Sequence, residues 1–420
     1  MIDAVPSTEI VITAERAPEE AAGTPASVAI IDRTRMERLG EPLITGVLRL
    51  TPSVSVTTSG PAGSLTEVRI RGAENNHTLL FIDGIRANDP ATSNFPRFEL
   101  LNTDVSSRIE VVRGPQSALW GSEAVGGIVA VDGVDASRES YAVTAEAGSF
   151  GFRRASASGS LATNGANLAL GIGWQRARGI DAFDGNGDRD GYRNQSGRVR
   201  GTWRVAPALR LGAAGFAFSG RSEFDGFRPV FPFDHMDTLD NSRNRLAAGR
   251  VWGELDDQEG WSGRLGGSIL SSRNRNFLAE NEINRTSGRR ATIDAQVQRR
   301  FTTAAIEHRV IIAFDHESEG FRASDTNFGG ATNQNRDRKH NALTVEWRAE
   351  GGLITGDLAL RRDAFNRFRD ATTIRASLLA DVGNRTSLAG SYGEGIAQPT
   401  FFDLYGFFPN SFVGNPTLKP

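Results

Sequence analysis

The stretch that decides the fold is residues 108–122, which read RIEVVRGPQSALWGS. Residues 109–112 are rich in β-branched side chains and predict a strand, which the sequence Gly114-Pro115 ends. Glycines at positions 121, 126 and 127 predict turns before a second apolar run at 128–131. We therefore expect two strands near the carboxyl end of a compact α/β domain.

The residues on the amino-terminal side predict the remainder of this domain. Further strands are predicted at 28–31, 54–56, 68–72 and 79–82. Two helices are predicted, one capped by Asp32 or Thr34 and ended by Gly40, and one at 45–50. The sequence Asp83-Gly84 after the fourth strand predicts a hairpin.

Beyond residue 140 the pattern changes to alternation with a period of two. Residues 168–173 (LALGIG) and 343–348 (LTVEWR) place apolar side chains on one face and small, polar or charged ones on the other. Because such alternation persists for about 280 residues without a convincing helix, we expect a transmembrane β-barrel rather than a soluble sandwich. At roughly 20 residues per strand and connector, this region has room for about 12–14 strands.

The connectors predicted between these strands are unequal in length. Residues 163–165 form a tight turn, whereas 223–243 and 325–341 are long and polar. Short turns on one rim and long loops on the other are typical of outer-membrane barrels. The chain is thus predicted to contain a flexible segment at 1–25, an α/β domain at 26–135 and a partial transmembrane barrel at 136–420.

Composition excludes several classes of protein. The 48 basic and 50 acidic residues give a net charge of -2, so no nucleic-acid partner is expected. Cysteine is absent, which excludes disulfides and a thiol nucleophile. No apolar run approaches the ~20 residues of a membrane helix. The five histidines are scattered without a catalytic spacing, and we expect neither an enzyme nor an organic cofactor.

The segment at residues 9–14 (EIVITA) is a β-branched run within the flexible start of the chain. Such a run can add as an extra strand to the sheet edge of a partner protein. It can equally form a first edge strand of the following domain, and the residues alone leave both readings open.

Several ordered motifs together resemble TonB-dependent outer-membrane receptors, and within them the cobalamin receptor subgroup. The motifs are VLRLTPSV at 47–54, RIRG at 69–72, LFIDGIR at 80–86, the stretch at 108–122, PTFFDLY at 399–405 and GNPTLKP at 414–420. The resemblance is dense in the α/β domain and sparse in the barrel. It implies a plug domain inside an antiparallel barrel that has 22 strands in the family.

The resemblance also implies a location, partners and a role. The location is the outer membrane of a Gram-negative bacterium, where the protein is expected to be a monomer surrounded by outer-membrane lipid. The role is TonB-dependent active uptake of a scarce large ligand, most simply cobalamin or a related corrinoid. Because the chain stops at Lys419-Pro420, on a motif that normally lies inside the barrel, we expect a C-terminally truncated barrel that cannot close alone.

Three further sets of residues take roles from the resemblance. The TonB box, which pairs with the energy-transducing protein TonB, consists of Ile10, Val11, Ile12, Thr13 and Ala14. Arg71 and Arg113 are expected to lie in the plug core and to pair with barrel glutamates. The apical loops of the plug offer ligand-binding hydroxyl and amide groups at Ser59, Ser64, Asn88, Thr92 and Ser93.

An acidic loop is the candidate metal site. Its oxygen-bearing side chains are Asp181, Asp184, Asn186, Asp188 and Asp190, interleaved with glycines. Closely spaced carboxylates suit calcium, which takes ~6–8 oxygen ligands, although a solvated loop is the simpler interpretation. The resemblance favours calcium, because some cobalamin receptors order their outer loops with it.

A second loop contains the aromatic residues Phe224, Phe227, Phe231 and Phe233 with His235, which are consistent either with a lid over a ligand or with a partly ordered loop. A ferric-siderophore or haem receptor is the alternative within the family. Haem would require apical histidines, for which only His77 and His235 qualify. A passive porin-like channel or an adhesin is the alternative of another class, but neither gives a reason for a plug or a TonB box.

Overall fold

The computed structural model describes residues 10–11, 16–17, 19–20, 23–183, 188–227, 234–326, 329–383, 386–408 and 412–420. Two short strands open the chain and pair with each other, β1 (Ile10–Val11) and β2 (Glu19–Glu20). Among the described residues, no helix is both long and apolar enough to cross a membrane.

The plug domain contains nine strands and three helices in the described chain. The strands are β3 (Ser27–Asp32), β4 (Val54–Thr58), β5 (Thr66–Ile70), β6 (Thr78–Ile82), β7 (Ile85–Arg86), β8 (Asn88–Asp89), β9 (Phe95–Pro96), β10 (Arg108–Arg113) and β11 (Gly127–Asp132). The helices are α1 (Arg33–Leu39), α2 (Ile44–Arg49) and α3 (Ser117–Trp120). Asp32 caps α1 by accepting a hydrogen bond from the Arg35 N–H at 2.7 Å, and Gly40 ends the helix in the left-handed conformation.

The plug sheet has the strand order β3-β10-β11-β6-β7. The decisive stretch supplies its centre, because β10 pairs antiparallel with both β3 and β11. Ile109 and Val111 of β10, with Val129 and Val131 of β11, form one buried face of the sheet, while Val112 and Ile128 belong to a second buried cluster. The barrel completes the core of the first face, since Phe216, Phe218, Leu246 and Leu270 pack against it.

The barrel region forms one sheet of 13 strands in chain order, each antiparallel to the next. Its strands are β12 (Ser140–Ala147), β13 (Arg153–Ala162), β14 (Ala166–Ala177), β15 (Tyr192–Ala206), β16 (Leu209–Phe227), β17 (His235–Asp256), β18 (Trp261–Leu278), β19 (Asn281–Thr303), β20 (Ile306–Asp325), β21 (Gln334–Gly351), β22 (Ile354–Phe365), β23 (Ala371–Gly383) and β24 (Thr386–Gly393). The count agrees with the predicted 12–14. Among the described strands, β12 pairs with β13 alone and β24 with β23 alone.

The remaining elements follow the barrel sheet: α4 (Phe401–Tyr405), β25 (Phe407–Phe408) and β26 (Phe412–Val413). Thr400 and Asp403 form a capping box at the start of α4.

The two faces of the barrel sheet are reversed relative to a soluble protein. Leu343, Val345 and Trp347 point outward and are 50%, 40% and 43% exposed, while Thr344 and Glu346 between them are buried. An outer belt of exposed apolar side chains is what lipid requires, and the plug fills the polar interior. The alternation predicted from the sequence is therefore confirmed.

The outer loops are shorter than the sequence indicated. Of the predicted loop at 223–243, β16 takes the first residues to Phe227 and β17 begins again at His235. Likewise β21 begins at Gln334, inside the predicted loop at 325–341. The polar residues at the ends of β16, β17 and β21 continue the cross-strand pairing beyond the apolar belt. Their polarity therefore indicates strands that extend above the membrane, not loops.

Candidate transport site: plug, lumen and outer loops

An ion pair fixes the plug to the barrel wall. Nη2 of Arg198, on β15, lies 2.8 Å from Oδ2 of Asp83, in the turn between β6 and β7. Both side chains are almost fully buried, and Arg198 also donates to the Val131 carbonyl at 2.7 Å. The other oxygen of Asp83 accepts a hydrogen bond from the Gly133 N–H at 2.7 Å. The same carboxylate therefore links two segments of the plug and anchors the plug to the barrel.

Arg290 makes a second anchor from β19. Its guanidinium pairs with Glu319 of the barrel and donates to the plug at the Asn88 carbonyl (2.6 Å) and at Asn94 Oδ1 (2.8 Å). Arg290 and Glu319 are both 1% exposed at their side chains. A buried guanidinium with a carboxylate partner and two carbonyl acceptors is satisfied, so this contact is specific as well as strong.

Arg86 reaches the barrel from the plug itself. It pairs with Glu317 of β20 at 3.2 Å, with Glu123 of the plug, and donates to the Ser122 carbonyl at 3.1 Å. Charges of both domains thus meet in a continuous network inside the lumen.

The apical loop of the plug is held by Asp89, which is fully buried. This carboxylate accepts hydrogen bonds from Ser272 and from Asn274 Nδ2 (2.8 Å), both on β18. Arg97 of the same loop donates to Asn274 Oδ1 and pairs with Glu99. The loop is therefore seated against the wall by polar contacts.

Arg71 and Arg113 do not make the predicted seating pairs among the described residues. Arg71 is exposed, at a left-handed position (φ 54°) just after β5. Arg113 ends β10, donates to Ser27 Oγ at 2.9 Å, and has its pKa lowered by burial and by the neighbouring Arg71. Plug–barrel ion pairs are made instead by Asp83, in the turn between β6 and β7, and by Arg86, at the end of β7.

The predicted ligand-binding residues separate into two groups. Asn88 and Ser64 are buried: Asn88 accepts from the Leu80 N–H at 2.8 Å, and Ser64 Oγ lies 3.3 Å from Ser222 Oγ of β16. Both side chains make contacts that hold the apical loops in place. Ser59 is exposed and Ser93 is half-buried at a left-handed turn (φ 47°).

Thr92 belongs to the seating contacts, because Asn274 Nδ2 donates to its hydroxyl at 2.8 Å. Like Ser93, it is half-buried. Three of the five predicted residues, Ser59, Thr92 and Ser93, therefore retain an accessible part.

The acidic loop meets a neighbouring loop that the sequence did not connect with it. Carboxylate oxygens of Asp181, Asp188 and Asp237 lie within 4.8 Å of one another, and Asp237 comes from the outer end of β17. Burial and the adjacent Asp237 raise the pKa of Asp188 to about 6. Predicted Asp184 and Asn186 lie outside the described residues.

Asp190, the fifth predicted member, faces inward from this loop and is buried. Its carboxylate accepts from the Ala182 N–H at 3.0 Å, and burial raises its pKa. The nearby Asp225 adds to the negative charge and accepts from the Thr238 N–H at 2.9 Å. The sequence analysis did not connect Asp225 and Asp237 with this loop, because both lie in a different loop region further along the chain.

An aromatic cluster joins the same two loops. The His235 ring contacts Phe183 edge-on at 5.0 Å and Phe227 at 5.2 Å, and Phe227 is 66% exposed. Phe224 is half-buried on β16, while Phe231 and Phe233 of the predicted lid lie outside the described residues.

The N-terminal segment contacts both the barrel and the plug through Arg16. Arg16 is buried, pairs with Asp315 of β20, donates to the Leu119 carbonyl at 2.7 Å and lies over the Trp120 ring at 5.2 Å. Ile10 and Val11 of the predicted TonB box pair as a strand with Glu20 and Glu19. The other three box residues lie outside the described residues.

A cavity of about 1220 Å³ lies between the plug and the wall. It extends from Trp120 and Arg16 to the short turn at 163–165, and Arg200, Asp294 and other charged side chains line it. The lumen therefore already contains a polar space on the short-turn side of the plug.

A plug seated by buried charges within a lipid-facing antiparallel sheet defines the class of plugged outer-membrane receptors. The family model "TonB-dependent Receptor Plug Domain" matches residues 20–128, and "TonB dependent receptor-like, beta-barrel" matches residues 173–420. The chain belongs to the TonB-dependent receptor family, whose members are receptors and transporters of the Gram-negative outer membrane.

Curated relatives cover nearly all of this chain. It is 25% identical to the vitamin B12 transporter BtuB of Vibrio vulnificus and 27% identical to that of Photobacterium profundum. Each match covers 98% of this chain and 65% of the relative. The chain thus spans about two thirds of the length of these relatives.

Solved structures share the fold. The ferripyoverdine receptor of Pseudomonas aeruginosa superimposes with a TM-score of 0.74 at 14% identity, covering 94% of this chain and 60% of that receptor. The siderophore receptor PirA from Acinetobacter baumannii gives a TM-score of 0.74 at 16% identity, covering 94% and 66%.

Proposed function

We propose that this protein takes up cobalamin or a related corrinoid across the outer membrane, driven by TonB. Support comes from the sequence similarity to vitamin B12 transporters, which extends over 98% of this chain and 65% of the relative. The observation that favours active transport over passive flow is the plug, because buried ion pairs hold it against the barrel wall and must be displaced before a large solute can pass.

TonB is the proposed partner at residues 10–14. The described part of this box is already extended and paired with β2, so exchange of β2 for a TonB strand would keep its backbone hydrogen bonds satisfied. Deleting residues 9–14 is expected to abolish uptake of labelled cyanocobalamin while leaving its binding to intact cells unchanged. Uptake that survives this deletion would instead support a passive channel.

Calcium is the proposed ion at Asp181, Asp188 and Asp237. The donor set fits it, because carboxylate oxygens from two loops converge within 4.8 Å, and burial together with repulsion from Asp237 raises the pKa of Asp188. When bound, the ion would neutralise this repulsion. These side chains would then hold the two loops together above the plug apex.

A ferric siderophore is the second candidate ligand, because the fold neighbours named above are siderophore receptors. Competition between cyanocobalamin and a panel of ferric siderophores for the purified protein distinguishes the two. Tight binding of a siderophore without binding of cyanocobalamin would overturn the corrinoid assignment.

A further inference from the structure

An unbroken series of arginines crosses the outward face of the barrel at the loop-bearing end. Directly opposed pairs in the sheet register are Arg153 with Arg176, Arg176 with Arg193, and Arg193 with Arg221. One arginine thus stands opposite the next across β13, β14, β15 and β16.

The same register continues over three more strands. Arg221 stands opposite Arg243, Arg243 opposite Arg275, and Arg275 opposite Arg285 on β19. We call these seven residues the arginine ladder. Its members are exposed or half-buried, and they share the outward face with the lipid-facing residues.

The ladder borders the apolar belt directly. On β14, Arg176 is followed on the same face by Trp174 and then by Ile172, Leu170 and Leu168, of which the last three are 50–54% exposed. On β17 and β18 a second opposed pair, Arg245 and Arg273, lies one outward position nearer the belt. The cationic zone therefore lies at the depth of lipid headgroups.

The opposite end of the belt has different chemistry. Its outward residues near the short turns include Trp203, Trp261, Phe301 and Trp347, which are 42–59% exposed. Aromatic side chains of this kind are typical of a membrane–water interface. The concentration of arginine is specific to the outer end.

The protein's own acids only partly neutralise the ladder. Glu223 pairs with Arg221 at 2.9 Å, Glu280 with Arg243 at 2.7 Å, and Glu282 with Arg285 at 2.8 Å. Among the described residues, Arg153, Arg176 and Arg193 form no ion pair. Seven arginines against three glutamates leave an excess of four positive charges.

Like charges directly opposed in a sheet destabilise it, since their Cβ atoms lie ~4.5–5.5 Å apart. A partner that brings closely spaced negative charge to this depth would remove the repulsion. Guanidinium groups bind phosphate in a bidentate manner, and the adjoining apolar belt accommodates acyl chains. A soluble polyanion would satisfy the arginines but not the belt.

We propose that the arginine ladder binds the phosphate groups of outer-leaflet lipid, and that its occupant is a phosphorylated glycolipid of the lipid A type. The phosphates lie across neighbouring arginines of β13 to β19, and the acyl chains lie along the apolar belt below. The ladder is thus a lipid-binding surface separate from the transport path.

Binding of bisphosphorylated lipid A to the whole protein in neutral detergent tests the proposal. The variant Arg153→Gln/Arg176→Gln/Arg193→Gln breaks no internal ion pair, and its affinity is expected to fall roughly tenfold to a hundredfold. The matched control Arg204→Gln/Arg299→Gln/Arg300→Gln removes three arginines from the opposite rim that form no ion pair among the described residues, and it is expected to change affinity less than twofold.

Thermal denaturation supplies a readout independent of affinity. Without lipid A, the ladder variant is expected to melt at a higher temperature than the parent, because repulsion is relieved. Lipid A should then raise the midpoint of the parent but not that of the variant. Equal lipid A affinity of ladder variant and control, equally tight binding of dephosphorylated lipid A to the parent, or displacement of lipid A by equimolar inorganic phosphate would each overturn the proposal.

Discussion

Asp83 and Arg198 show how one residue pair can hold two domains together. Arg198→Met leaves the buried Asp83 carboxylate without its cation, and we expect the plug to lose about 3–5 kcal/mol of stability. The measurement is urea-induced release of the plug, followed by protease cleavage. Arg200→Met is the control on the same strand, because Arg200 is 39% exposed and lies 4.0 Å from Asp132. It should cost less than about 1 kcal/mol.

At Asp188 the prediction concerns pH. Its raised pKa means that the charged form is disfavoured in the folded loops, so without calcium the loops gain stability as pH falls from 7 through about 6. Calcium competes with that proton, and its affinity should be constant above pH 7 and fall below pH 6. Calorimetric titration of calcium at several pH values measures this.

The variant Asp188→Asn should bind calcium more weakly at pH 7.5 and lose the pH dependence. Asp257→Asn at the short-turn rim serves as the control and should behave like the parent. Calcium affinity that does not change between pH 5 and pH 7.5 would remove Asp188 from the site.

Sequence reasoning at this scale identified residue types but not their partners. The alternation places Arg198 on an inner face, because Val199 beside it faces outward, so a buried charge there was a detectable signal. What the sequence cannot reveal is that its partner stands 115 residues earlier, in a turn. For the same reason the motifs named no barrel partner for Arg71 or Arg113, since a motif does not state what lies opposite it.

At the scale of elements, Gly127 is where β11 begins close beside β10. Its φ is 151°, and an added Cβ would lie 2.1 Å from the Val112 carbonyl oxygen. Gly127→Ala must therefore separate the two central strands of the plug, and we expect a loss of about 2 kcal/mol or more. Gly197→Ala is the control, because nothing lies within 4 Å of its added Cβ. Equal plug protection from protease in both variants would contradict this account.

The longer plug strands and the helices α1 and α2 were predicted to within a few residues, because short β-branched runs, Asp32 and Gly40 mark their ends locally. The short elements β8, β9 and α3 were not predicted. The outer ends of the barrel strands were not, since polar strands above the belt resemble loops in composition. The β17 strand, for instance, begins at His235 in a stretch predicted as loop. Its pairing with β16 and β18 outweighs the weak local preference.

For the whole molecule, the absence of cysteine allows the plug to be locked to the wall. Ser64 and Ser222 have their Oγ atoms 3.3 Å apart, so Ser64→Cys/Ser222→Cys should form a disulfide. We expect the oxidised variant to bind ligand but not to import it, with import restored by reduction. The control pair Ser140→Cys/Ser160→Cys, whose Oγ atoms are 2.7 Å apart, joins β12 to β13 and should leave import intact. Normal import through a fully oxidised Ser64–Ser222 link would mean that the apical loop stays in place during transport.

The edge position of β3 determines which part of the plug sheet separates first under tension. β3 is the strand nearest the N-terminal segment, and it pairs within its sheet with β10 alone. Tension applied at the N-terminus acts first on the Arg16–Asp315 ion pair. It then acts on the six residue pairs that join β3 to β10. The backbone pairing that joins β10 to β11 and β11 to β6 lies on the far side of β10 from β3. We therefore expect tension at the N-terminus to separate β3 from β10 first, while ion pairs with the barrel wall hold the rest of the plug in place.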